Sequence, residues 1–125
     1  MTTADRAEVE DFAQQSLQLL ERARKYVADG DLHQASEKAW GAAAHMAKAV
    51  AAANGWTYEK HSDFSFVLNN TWLQTGDDRI RELRGIPNDL HGYHYVRNRF
   101  LNADVIAPDI ESVAELVEIL APLTE

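Results

Sequence analysis

Apolar positions recur at helical spacing along almost the whole chain. Between residues 5 and 28 they fall at Val9, Phe12, Ala13, Leu17, Leu20, Ala23 and Val27, with the small Ser16 on the same stripe. This i, i+3, i+4, i+7 pattern marks a helix with one buried face. Gly30 can end that helix in a left-handed conformation, and Asp31, three residues before Gln34, resembles the start of a capping box. So short a link requires two antiparallel helices.

The second helix is expected from about Leu32 to Asn54. Its alanines at 39, 42, 43, 44, 47, 49, 51, 52 and 53 favour helix and leave several faces small enough for close approach. Such a helix suits the centre of a bundle, with Trp40, Met46 and Val50 supplying bulk and Gly55 the C-cap. A third helix is expected from a Ser62 cap through about Gln74, with Phe64, Val67, Leu68 and Leu73 as its apolar set. Asp77 or Asp78 can cap a fourth, buried through Ile80 and Leu83. Pro87 must break or kink it near Arg84, because proline lacks a donor and crowds the preceding turn. The helix is expected to resume through Leu90 and run to about Phe100 or Leu101. Pro108 and Asp109 then open a last helix, with Ile110, Val113, Leu116, Val117 and Leu120 inside. No stretch alternates with period two for long enough to make a strand. The prediction is an all-α, up-and-down bundle of about five helices, a four-helix core plus one extra, forming a single domain over residues 1–125.

Composition narrows the class. At 125 residues and 46% apolar, the chain can bury one core. With no cysteine it has neither a disulfide framework nor a thiolate metal site, which fits a reducing cytoplasm. The opening MTTADRAEVED lacks a basic start followed by an apolar run, and no stretch approaches a membrane span. A cytoplasmic protein without membrane contact is therefore expected. The net charge of −8 disfavours general nucleic-acid binding, but the charge is unevenly spread. Residues 79 to 99 carry Arg79, Arg81, Arg84, Arg97 and Arg99 against Glu82 and Asp89, while five acids and no base follow Val105.

Candidate chemistry gathers in the same window, in RGIPNDLHGYHYVRNRFLN from Arg84 to Asn102. Arg84 and His91 stand seven residues apart, close to two turns, so a mild kink leaves them on one face. A guanidinium forks two phosphoryl oxygens, and an imidazole titrating near neutrality moves protons. Such a pair suits metal-free RNA cleavage. Tyr93, His94, Arg97 and Arg99, with Arg81 upstream, suit base stacking and phosphate contact. The plain structural alternative makes these residues part core and part solvated surface. His91 and His94 are three apart but have no evident third ligand and no H-E-x-x-H setting, so no metal and no cofactor are expected. Trp40, Trp56 and Trp72 are expected in the core or at a subunit interface, and His61 as a helix-start residue.

Two stretches together resemble a known family. ADGDLHQASEKAWGAAAHMAKAVAAANGW gives a short link and then an alanine-rich helix around Ala39-Trp40. LHGYHYVRNRFLNADVIAPDIESVAELVEIL gives Leu90-His91, Tyr95 four residues on, and an aliphatic last helix. These resemble HEPN domains (higher-eukaryote and prokaryote nucleotide-binding), in particular the branch with a leucine-histidine-aromatic fourth helix. The resemblance implies a four- or five-helix bundle, a symmetric dimer, and RNA or nucleotide binding. It also implies either toxin–antitoxin-type ribonuclease activity or partnership with a nucleotidyltransferase. The family motif is an arginine, four to six residues, then a histidine, which Arg84 and His91 match with six between. The chain departs from the motif at Gly85, where a polar residue is usual, and at Pro87, within what is normally helix. Arg97-Asn98 looks like a motif start with no histidine after it.

The rival class is a non-catalytic, dimeric helical module that binds a protein partner. The hairpin over residues 5 to 55 also looks like one tetratricopeptide unit, but no second copy of the period follows.

Overall fold

The computed structural model describes the backbone of residues 1–95 and 102–125, with side chains through Tyr93 in the first of these stretches. The described residues are almost entirely helical. The helices are α1 (Thr3–Asp29), α2 (Leu32–Asn54), α3 (Ser62–Thr75), α4 (Asp78–Leu83), α5 (Gly85–Tyr95) and α6 (Ala103–Leu120), followed by a 3-10 turn over Ala121–Thr124. The predicted fourth helix is thus two helices meeting at Arg84.

The first hairpin forms as local chemistry dictates. Thr2 and Asp5 make a reciprocal capping box at the start of α1. Gly30 ends α1 at φ 80°, a conformation that costs glycine nothing. The Asp31 carboxylate then accepts from the Gln34 amide at 3.1 Å. Helix α2 is the centre of the bundle and touches α1, α3, α5, α6 and the terminal turn. Its alanines at 35, 39, 42, 43, 47, 49 and 51 are at most 1% exposed. Small side chains there let α1 approach so closely that buried Ser16 Oγ donates to the Ala42 carbonyl at 2.6 Å. Phe64, Val67 and Leu68 of α3, Ile80 of α4, Leu90 of α5 and the Ile106–Leu120 stripe of α6 close the core around it.

Three helix ends differ from expectation or resolve an open choice. Ser62 is the first residue of α3 rather than its cap; Asp63 does the local work, accepting from the Glu59 and Lys60 amides at 2.8 and 3.1 Å. Asp77, not Asp78, caps α4. Helix α6 begins at Ala103, so Pro108 lies inside it rather than opening it. The Asn102 side chain caps α6 by accepting from Asp104 N at 2.8 Å. The extra turn buries Ile106 completely. That burial and the cap outweigh the single backbone bond lost at the proline.

The break at Arg84 has the expected cause. In one continuous helix the residue-87 amide would donate to the Leu83 carbonyl, and Pro87 has no such proton. With α5 restarting at Gly85, Pro87 falls in the first turn, where amide protons have no helical partner in any case. Leu90 is fully buried and anchors α5. The predicted continuation of this helix toward Leu101 lies outside the described residues.

Candidate functional site

Helix α3 runs antiparallel to α4, and His61, just before α3, reaches α5, so the seam can be followed contact by contact. At one end the Arg81 and Arg84 guanidiniums lie 5.2 and 5.9 Å from the Trp72 ring centre. Both distances are within cation–π range. Trp72 is held in turn, its Nε1 donating to Asp78 Oδ1 at 3.1 Å. One turn back along α3, Asn69 Oδ1 accepts from Arg84 Nη1. At the far end, where α3 begins, His61 Nε2 donates to Asn88 Oδ1 at 3.0 Å. Advancing from Arg84 to Asn88 thus moves the partner from Asn69 back to His61.

The His61 end closes on an aromatic cluster. Ring centres are 4.6 Å apart for Trp40 and His61, 4.8 Å for Trp40 and His91, and 4.9 Å for His61 and His91. The two imidazoles are inclined by 26°. A column of three rings would put its outer members about twice as far apart as neighbours, so no ring here is sandwiched between the other two. The three centres form a nearly equilateral triangle, with the two imidazoles stacked and the indole of α2 against both. Phe64 meets Trp40 edge-on at 5.0 Å and backs the cluster with core. His61 is exposed, whereas His91 is half-buried with its Nδ1 shut off from solvent.

Among the described residues, three arginines, Arg22, Arg81 and Arg84, have no carboxylate within ion-pair distance, and the last two share one indole. Arg24 forks Glu111 of α6 at 2.7 and 2.9 Å, and Arg79 pairs with Asp77 at 2.8 Å. The charge of Arg81 and Arg84 is available on a face that Trp72 stiffens. The residues predicted from sequence are therefore distributed as follows. Arg81 and Arg84 share the Trp72 end of the seam, and His91 sits about 10 Å further on by helical rise. Tyr93 packs against the core, where burial and then Asp109 and Asp89 raise its hydroxyl pKa. Burial, then Asp89, also raises the pKa of the Asp109 carboxyl. Tyr93 therefore stands with acids rather than with Arg81 and Arg84. The His94 side chain, Arg97 and Arg99 lie outside the described residues.

Sequence reasoning passed over Asn88 and gave only structural roles to Trp40 and Trp72, expected in the core or at an interface, and to His61, expected at a helix start, where it precedes α3. Asn88 carried a signal, being three residues before His91 on the same helix face. His61 carried none, since its position depends on how α3 docks. Among the described residues no three His, Asp or Glu side chains are grouped to hold a metal. The roomier clefts lie elsewhere and suit an anion poorly: one of about 450 Å³ sets Asp5 and Glu8 against Lys48, and one of about 570 Å³ sets Asp77, Glu115 and Glu118 against Arg79. No described helix is long and apolar enough to cross a membrane.

Comparison with curated proteins gives no match. The model of one family, the archaeal PaREP1/PaREP8 family, matches residues 11–120. That span takes in α2 to α6 whole and all of α1 but its first turns, so the chain belongs to the archaeal PaREP1/PaREP8 family.

Proposed function

We propose that the chain is a HEPN-like RNA-binding domain whose α3–α5 seam takes single-stranded RNA and cleaves it without metal. One observation carries the reading. In a chain of net charge −8, two carboxylate-free guanidiniums lie over one indole and lead along a single seam to a stacked pair of imidazoles, one exposed and one half-buried. Guanidiniums fix phosphate by forked hydrogen bonds, and aromatic surfaces accept bases of any sequence. The resemblance in the Leu90-His91 helix and the Arg84-x6-His91 spacing point the same way. The working unit in this proposal is a homodimer, because a twofold axis doubles the few positive groups around one cleft. A nucleotidyltransferase fits as protein partner on the same resemblance.

Anisotropy of a labelled, short, mixed-sequence single-stranded RNA at two salt concentrations tests the binding. Affinity falls steeply with salt as phosphates displace counterions. Arg84→Ala weakens binding by about 1–3 kcal/mol and flattens the salt slope. Absence of binding at low salt, or binding indifferent to Arg84→Ala, refutes the assignment. That outcome favours a protein-interaction module, for which α3 offers Phe66 and Leu73, 51% and 71% exposed.

A further inference from the structure

We infer that His61 is a second catalytic imidazole of this seam, working with His91 as base and acid on one ribose phosphodiester. The inference rests on the RNA-binding reading and adds a residue that the Arg84–His91 spacing does not contain.

Three observations carry it. The two rings are stacked, centres 4.9 Å apart and inclined by 26°, with the indole of Trp40 against both. That spacing brings two titratable rings within reach of one phosphodiester, His61 from its exposed side and His91 from the part of its ring other than the buried Nδ1. His61 is also oriented by a third group. Its Nε2 donates to Asn88 Oδ1 at 3.0 Å, which puts the proton of the neutral ring on Nε2 and leaves Nδ1 as the basic nitrogen. A base whose tautomer and direction are held by a neighbouring side chain is the usual arrangement for proton abstraction. Finally, Asn88 and His91 are one turn apart on α5, so the helix that carries the acid also carries the group that aims the base.

The step balances without metal or cofactor. His61 Nδ1 removes the proton of a ribose 2′-hydroxyl, and the resulting oxygen attacks the adjacent phosphorus. The bond from phosphorus to the 5′ oxygen breaks, and protonated His91 gives its proton to that leaving oxygen. The products are a 2′,3′-cyclic phosphate and a 5′-hydroxyl end, and the two rings regain their starting states by exchange with water. Arg84, about 10 Å along the helix, holds a flanking phosphate rather than the scissile one.

The test measures binding and cleavage separately on the full chain, with a labelled single-stranded RNA and the same RNA carrying 2′-deoxyribose throughout. Wild type is expected to bind both and cut only the ribose form, leaving a cyclic phosphate. His61→Gln and His91→Gln are expected to bind within about twofold of wild type and to lose cleavage by about 100-fold or more, as loss of a general acid or base requires. Circular dichroism of each variant establishes folding, and Asn88→Ala, which leaves both imidazoles in place, reports on the orienting bond by a smaller loss. Wild-type cleavage that survives His61→Gln overturns the inference and spares the binding reading, as does RNA bound but uncut by wild type. Wild type that binds no RNA overturns both.

Discussion

Leu90 is the residue through which α5, and with it Asn88 and His91, is fixed to the rest of the molecule. It is 0% exposed, and its helix packs on α2, α4 and α6. Leu90→Ala removes three carbon atoms, worth about 2.4 kcal/mol of transfer free energy at about 0.8 kcal/mol each. Alanine-rich α2 has few long side chains able to swing into the gap, so a cavity penalty adds to this and the expected loss is about 3–5 kcal/mol. A domain of this size has roughly 6–19 kcal/mol in total, so the variant folds but melts roughly 10 to 20 °C lower. Urea unfolding followed by far-ultraviolet circular dichroism gives the number, and an unchanged m-value shows that the native state is otherwise intact. Because α5 carries both Asn88 and His91, the same variant should cut RNA more slowly even well below its melting temperature, with binding through Arg81 and Arg84 less affected. A loss under about 1 kcal/mol at unchanged m would refute the docking of α5 through Leu90 and, with it, the rigid placement of His91 beside His61.

Two further outcomes follow from local geometry. A Cβ at Gly41 would meet only the Leu19 side-chain tip, 3.3 Å away, so Gly41→Ala should leave stability unchanged or raise it by up to about 1 kcal/mol through helix propensity; a clear loss in urea unfolding would mean that the α1–α2 contact cannot give way. Burial, with a lesser push from Asp63, raises the Tyr58 hydroxyl to about 12. The folded state therefore holds this proton more tightly than the unfolded chain, whose tyrosine ionises near 10, so the stabilisation is whole below pH 10 and is lost as pH rises through about 12. Tyr58→Phe should flatten the fall in stability over that window, and an unchanged slope would assign it to other groups.

Those elements whose ends depend on near neighbours were legible in the chain itself. The α1–α2 hairpin follows from Gly30 and Asp31, the central place of α2 from its alanines, and the break before α5 from Pro87, because each rests on contacts within a few residues. Asn102 was a local signal too, but it was outweighed in reading by Pro108, whose lost hydrogen bond costs less than exposing Ile106 would. The spacing of Arg84 and His91 was likewise visible, but not their partners. Trp72 and Asn69 reach Arg84, and Trp40 and His61 reach His91, only because α3 docks antiparallel to α4, with its leading His61 against α5 and with α2 packed on both α3 and α5. Helical periodicity told most of the buried positions, Leu17 and Leu73 of the expected stripes being exposed instead, but not how far one helix slides along another. That offset is decided by how Phe64, Leu68, Ile80 and Leu90 pack on the alanines of α2, and it is what brings His61 to within 4.9 Å of a histidine thirty residues away in sequence.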